Sequence, residues 1–272
     1  MSNIIITLCE GQDDIAFLSR ILYVKGFEKY NKKLKNFISP FNNLFVKKLK
    51  EKEINSFGFI PSNYLVPSVV LYNEETYIFL HNLGGDNNSR ENEIKAIVEM
   101  YEGLKSSEDD FSSYDFEYKF LLFFDADDRG VEDRESNVSQ LLEKELKHNE
   151  IKDNYGLYVF NKDGFGTLED ILLELMIKGN ESEFKNAKEY IENNKFENED
   201  RCKEFVCSIT DERYKGSSKF YKNKSIISVA GQLQFSAKSN SVIIEKSDYI
   251  RKNDLEINYK CKEIADMFIK ES

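Results

Sequence analysis

Asp125-Ala-Asp127-Asp128 follows without a break on the apolar run Phe120-Leu-Leu-Phe-Phe124. In extended chain, acids two residues apart present their carboxylates to the same side. That spacing suits a shared hard cation such as Mg²⁺ or Mn²⁺. The competing explanation is a solvated acidic turn. A second acidic group, Glu10-Gly-Gln-Asp-Asp14, stands in the same relation to Ile4-Ile-Ile-Thr-Leu-Cys9. Here Glu10 ends a β-rich run, and Asp13 or Asp14 is placed to cap a helix. Glu169 lies just past Gly156-Leu-Tyr-Val-Phe160, in Thr167-Leu-Glu169-Asp170. It reads both as a helix-start acid that complements the dipole and as a metal ligand.

These acids need a scaffold, and the apolar patterning supplies one. Ile4–Cys9, Thr76–Asn82, Phe120–Phe124 and Gly156–Phe160 read as strands. Helical spacing follows each of them: Ile15, Leu18, Ile21 and Leu22; Ile94, Ile97, Val98, Tyr101 and Leu104; Val138, Leu141, Leu142 and Leu146; and Ile171, Leu172, Leu175 and Met176. Alternating strand and helix predicts an α/β fold with a parallel sheet covered on both faces, and ligand sites in such sheets gather at the strand ends. Gly84-Gly85, directly after the Thr76–Asn82 strand, would let backbone amides approach an anion, or would serve as a plain turn.

The predicted organisation is an α/β domain over residues 1–180, with an insertion at about 29–75, followed by a C-terminal helical region over 181–272. Helices are expected in that region near 184–194, 198–208, 224–233 and 255–270. They form either a subdomain or a layer packed back on the sheet. Within the insertion, Lys29, Lys32, Lys33, Lys35, Lys47, Lys48, Lys50 and Lys52 are interleaved with Phe37, Phe41, Leu44, Phe45 and Leu49, and a short helix near 42–52 followed by irregular or strand structure is expected. This is an amphipathic helix with a solvated Lys face, or else a strip that stacks on and neutralises single-stranded nucleic acid. The densest cationic and aromatic mixture is Arg213-Tyr-Lys215-Gly-Ser-Ser-Lys219-Phe-Tyr-Lys222-Asn-Lys224. Arg213, Lys215, Lys219, Lys222 and Lys224 are therefore the expected phosphate contacts.

Composition bounds the function. The 272 residues carry a formal net charge of -11, which argues against indiscriminate nucleic-acid binding but leaves room for a local basic groove. No apolar run approaches the length of a membrane span and no cationic segment precedes the first apolar stretch, so a cytoplasmic protein without membrane association is expected. Four cysteines without Cys-x-x-Cys spacing and two histidines argue against zinc. There is no Gly-x-x-x-x-Gly-Lys-Ser/Thr loop for ATP phosphates.

Glu10-Gly-x-x-Asp14, Gly84-Gly85 and Asp125-x-Asp127, each at a strand end and in that order, together resemble the Toprim (topoisomerase-primase) domain over roughly residues 3–180. The resemblance implies a sheet that gathers Glu10, Asp125 and Asp127 around Mg²⁺ for phosphodiester chemistry. Within Toprim the chain is most similar to the nuclease branch typified by the OLD (overcoming lysogenization defect) proteins. Asp14, Thr167 with Glu169, and Lys224 match that branch's further acid, Ser/Thr-x-Glu and downstream Lys. The resemblance thus implies Glu10, Asp14, Asp125, Asp127 and Glu169 as metal ligands, and Glu10, Asp125, Asp127 and Lys224 as catalytic. It also implies two-metal hydrolysis of nucleic acid, DNA rather than RNA, and phage defence as a setting. The Glu10–Asp125 separation is longer than usual for the family, and the ATPase half of the OLD proteins is missing, so an ATPase would act in trans. Self-association is compatible with this reading. Two alternatives stand beside it. Asp125-Ala-Asp127 also resembles the nucleophile motif of haloacid-dehalogenase phosphatases, although there it usually lies on the first strand. A non-catalytic module binding nucleic acid or a partner protein is the other.

Overall fold

Successive residues along the central strands are buried on opposite faces of one sheet, which is why the strands read as unbroken apolar runs rather than alternating ones. In β1 (Ser2–Cys9), Ile4, Ile6 and Leu8 belong to one core, while Ile5 and Cys9 belong to the other. In β5 (Phe116–Asp125), Phe120, Leu122 and Phe124 alternate in the same way with Leu121 and Phe123. The computed structural model describes residues 2–50, 54, 56–57, 64–85, 90–106, 116–145, 155–194, 203–206, 211–214 and 221–269.

The chain is α/β, with a six-stranded mixed sheet flanked by helices. Its order is β2 (Glu28–Lys29), β3 (Val69–Tyr72), β4 (Thr76–Asn82), β1, β5, β6 (Tyr155–Phe160). The four strands expected from the sequence, β4, β1, β5 and β6, are mutually parallel. The expectation of a wholly parallel sheet is corrected at one edge. The insertion contributes β2 and β3, and β3 runs antiparallel to β4 and β2 to β3. Four-residue and two-residue strands at an edge carry too little periodicity to be read in advance.

One face is covered by α1 (Gln12–Val24), α5 (Leu168–Ile177) and the helices of the C-terminal region: α6 (Glu181–Asn193), α7 (Lys222–Gly231), α8 (Asn240–Lys246), α9 (Lys252–Ile257) and α10 (Tyr259–Phe268). These helices pack back on the sheet and share its core. Phe123 of β5 stacks on Phe268 of α10 with ring centroids 5.7 Å apart, and Phe184 of α6 meets Tyr249 edge-on at 5.2 Å. Truncating one such buried ring costs about 3–5 kcal/mol. The other face is covered by α2 (Phe41–Leu49), α3 (Arg90–Ser106) and α4 (Val131–Glu145). The expected helix at 198–208 is not formed: β7 (Lys203–Val206) lies there and pairs antiparallel with β8 (Asp211–Tyr214). The expected helix over 255–270 is two helices, divided at Asn258, whose side chain accepts from the Lys260 and Cys261 amides and starts α10. Among the described residues, no helix is long and apolar enough to cross a membrane.

This layering positions the site. The helix after β1 packs on one face and the helix after the adjacent β5 on the other, so the two connections diverge from neighbouring strand ends. Such a divergence of neighbouring connections is where ligands bind in open α/β sheets, and it is the crevice position of this fold. Glu10 and Asp125 stand on its two sides.

Candidate carboxylate centre at the strand ends

The β1 end is the first wall. Glu10 follows the last paired residue, and the chain turns into α1 through Gly11, whose amide donates to Asp14 Oδ2 at 2.7 Å. Asp14 is buried, and that burial, with the nearby Glu10, Glu169 and Asp13 charges adding to it, raises its pKa although the Gly11 bond opposes the rise. Burial also raises the Glu10 pKa against the pull of Arg90 and Arg134. Glu10 Oε2 lies 3.6 Å from Arg90 Nη1 and 3.4 Å from the Asp125 amide. Behind it, the Gly85 amide donates to the Glu10 carbonyl at 2.7 Å. Gly85 has φ +93°, a conformation for which glycine carries no steric cost.

The β5 end is the second wall. Asp125 Oδ1 accepts from the Leu168 amide at 2.7 Å, tying the strand end to the first residue of α5. Burial, then Asp14, Glu10 and Glu169, push its pKa up to about 9. The extended register expected to aim Asp127 beside Asp125 ends at the strand. Asp127 has φ +52° and forms a backbone bridge to Gly166, donating at 2.7 Å and accepting at 3.0 Å. Its carboxylate accepts from Arg134 Nη2 at 2.8 Å, and Arg134 Nε donates to the Asp125 carbonyl at 2.8 Å. A bridge to a neighbouring loop and a buried guanidinium outweigh the cost of left-handed backbone, roughly 1–3 kcal/mol. Asp128 is exposed.

The β6–α5 connection and α7 close the third side. Asp170 is held at both oxygens, by the Thr167 amide at 2.9 Å and by Asn223 Nδ2 at 2.8 Å. This bond sets the start of α7 against the start of α5. Glu169, buried, accepts the Thr167 hydroxyl at 2.7 Å and lies 3.2 Å from Lys224 Nζ, which is also 3.8 Å from Asp13 Oδ2. Burial opposes the ammonium charge of Lys224, but Glu169 and Asp13 outweigh it and its pKa is raised. Burial likewise raises Asp13, to about 6, with Lys224 opposing.

Glu10, Asp14, Asp125, Glu169 and Lys224 are thus brought together from four separated segments, with Asp127 joined through Arg134. The expected phosphate strip is placed differently. Lys222 pairs with Glu192, Arg213 lies in β8, and Lys215 and Lys219 fall outside the described residues. The Gly84-Gly85 amides are engaged within the protein, Gly84 with Asn82 Oδ1 at 2.9 Å and Gly85 with Glu10, so the pair serves as a turn that holds Glu10 rather than as an anion cradle. In the insertion, Phe37, Phe41 and Phe45 are core residues, Phe41 meeting Phe79 edge-on at 5.1 Å. Buried, Phe37, Phe41 and Phe45 are not placed to stack on a nucleobase. His81 is also a core residue. It sits 2.8 Å from the Tyr101 hydroxyl, and burial lowers its pKa to about 3.

Sequence reasoning missed Asp13, Arg90 and Arg134. A signal for the two arginines was present. Arg134 precedes Val138 and Leu142, and Arg90 precedes Ile94 and Val98, at steps of four. Each cation therefore continues the apolar stripe of its helix toward the strand ends, where a surface residue would not be expected.

The donor set is all oxygen and anionic, which is the chemistry of a hard divalent cation rather than of zinc. Asp14 and Asp125 each have one oxygen anchored to a backbone amide, and among the described residues the protein offers no hydrogen bond to the other. Also among the described residues, no group of three or more His, Cys, Asp or Glu side chains is arranged to hold a metal ion as it stands. In this arrangement Lys224 lies within 4 Å of both Asp13 and Glu169, and Arg90 faces Glu10. Compared with protein-family models, with curated proteins and with solved structures, the chain matches none of them.

Proposed function

We propose that the crevice is the active site of a Toprim-like nuclease that hydrolyses phosphodiester bonds in nucleic acid with Mg²⁺ or Mn²⁺. The observation that carries the reading is the crowding of buried Asp14 and Glu169 with half-buried Glu10 and Asp125 at the ends of the central strands β1 and β5, where burial raises the pKa of Glu10, Asp14 and Asp125 and a lysine holds Glu169. A fold keeps such a crowd, against a desolvation cost, where a bound cation relieves it. Glu10, Asp14, Asp125 and Glu169 would hold the ions, with Asp13 at the rim. A bound pair of divalent ions supplies charge neutralisation on the phosphate and an activated water.

The chain's own groups do the rest. The Gly11 and Leu168 amides fix one oxygen each of Asp14 and Asp125, which orients the carboxylates without spending their charge. Arg134 holds Asp127 and the Asp125 carbonyl, so that the loop keeps its shape. Lys224, half-exposed beside Glu169, is the positive group placed to meet charge that develops on the phosphate. An ATPase partner acting in trans and a role in phage defence follow from the resemblance to OLD proteins alone.

A haloacid-dehalogenase-type phosphatase is supported less well. Its second Asp must be available to move a proton, whereas Asp127 is bound to Arg134. The deciding experiment incubates the protein with supercoiled, linear and single-stranded DNA, RNA and a small phosphate ester, in Mg²⁺ or Mn²⁺ with an EDTA control. Metal-dependent cleavage of a nucleic acid, lost in Glu10→Gln and Asp125→Asn proteins that remain folded, supports the reading. Turnover of the small ester alone, or cleavage that survives both substitutions, overturns it.

A further inference from the structure

Phe165 is 56% exposed although its backbone is fixed from several sides. Lys162 and Phe165 exchange backbone hydrogen bonds, the flanking Gly166 bridges Asp127, and the Gly164 carbonyl accepts from Val131 at 3.0 Å. Gly164 and Gly166 both have φ near +90° (+90° and +92°), so the turn is tight and its tip is pushed outward. One edge of the ring lies over Gly130, where an added Cβ would come within 2.9 Å of Cε1. A large aromatic ring is thereby carried, more than half exposed, by a loop of fixed backbone whose next residues are bridged to Asp127 and supply Thr167 and Glu169 to the carboxylate centre. A second exposed ring, Tyr221 at 52%, stands before α7 with Lys224 Nζ 5.7 Å from its centroid.

What distinguishes Phe165 from the other exposed apolar side chains is its place, on the loop bridged to Asp127 and directly before Thr167 and Glu169. A flat π-face beside a phosphate-processing centre offers what an unpaired nucleobase stacks on, whereas a base inside a duplex keeps its faces against its neighbours. We infer that Phe165 is a stacking platform for an unpaired base next to the scissile phosphate, so that the substrate is single-stranded or frayed nucleic acid. This rests on the nuclease reading above for the word scissile, but the stacking itself can be measured without turnover.

The chain contains no tryptophan, so Phe165→Trp introduces a single tryptophan at the tip, excited selectively on the red edge where the tyrosines do not absorb. Its emission should be quenched on titration with a short single-stranded oligodeoxythymidine, with and without Mg²⁺. Leu233→Trp, 70% exposed at the far end of α7, should not respond. Phe165→Ala should weaken the single strand's binding by roughly 5- to 100-fold, the range expected for one lost base–aromatic stack, and should reduce the preference over a blunt duplex. Unquenched Phe165→Trp, or a Phe165→Ala protein that binds the single strand as the parent does, overturns the proposal. The two readings fail separately. Metal-dependent cleavage by the parent without quenching removes the platform and keeps the nuclease. Quenching without cleavage of any nucleic acid keeps the platform and removes the hydrolysis.

Discussion

Arg134 and Asp127 form an ion pair at 2.8 Å in which the guanidinium is 2% exposed and the carboxylate 31%. The asymmetry matters. The arginine has been taken out of water almost completely, while the acid that compensates it remains partly solvated. Loss of the acid leaves a buried cation without its partner. Asp127→Asn should therefore destabilise the protein by about 1–3 kcal/mol, below the cost of breaking a fully buried pair because water reaches the site. Asp128→Asn, on an exposed turn residue, should stay within about 0.5 kcal/mol. Urea unfolding of the two variants decides this, and equal midpoints would show that the pair contributes nothing.

The crowding of carboxylates has a pH signature. Asp125 is pushed from the ordinary Asp value of 3.8 up to about 9. A carboxyl group that binds its proton more tightly in the folded state contributes stability that is complete below its unfolded pKa and is lost as pH rises through the folded one. His81, lowered to about 3, acts in the opposite sense, but only below about 6.5, where the unfolded imidazole takes up a proton. Between about pH 6.5 and 9, metal-free protein should therefore melt at progressively lower temperature, and Asp125→Asn should flatten that slope. Mg²⁺ should raise the Tm more at the alkaline end than at the neutral end, because more charge is there to be bound. A flat metal-free profile in this window would contradict the burial of Asp125 as a carboxyl group.

Lys224 separates rate from affinity. Its ammonium is 3.2 Å from Glu169 and lies on a helix tied to α5 by the Asn223–Asp170 bond. If it meets developing charge on the phosphate, Lys224→Met should lower kcat by about 10²–10³-fold and move KM by only a few-fold. A rise in KM with kcat retained would make it a binding residue.

Gly85 and Gly26 form a matched pair. Both have positive φ, +93° and +86°, and a Cβ at either would meet nothing within 4 Å. Alanine at each position should cost about 1 kcal/mol through backbone strain alone. Only Gly85 donates to the Glu10 carbonyl, so only Gly85→Ala should also lower cleavage. Equal activity in the two variants would mean that the turn does not position Glu10.

The sequence by itself determined the strands and where their acids stand. Ile4–Cys9, Thr76–Asn82, Phe120–Phe124 and Gly156–Phe160 must be buried on both faces, and a polar residue ends each run. Buried apolar length and a break in it are local properties, legible one segment at a time. The apolar stripes of α1, α3, α4 and α5 were legible for the same reason.

Only the tertiary structure decided what those acids meet. The order β4-β1-β5-β6 puts Glu10 next to Asp125 across 115 residues, and α7 delivers Lys224 to Glu169 across another 55. Neither distance leaves a trace in periodicity, because each is set by which faces remain to be covered once the sheet has formed. The left-handed turn at Asp127 belongs to the same class. Its register follows from Arg134 and from the bridge to Gly166, partners 7 and 39 residues away, and not from the alternation of an extended strand. The insertion shows the reverse case. Its lysines and phenylalanines suggested a binding strip, but packing on Phe79 buried Phe37, Phe41 and Phe45, while Lys47 and Lys50 remain exposed. Composition states which side chains are available, and the free energy of covering the sheet decides which of them remain at the surface.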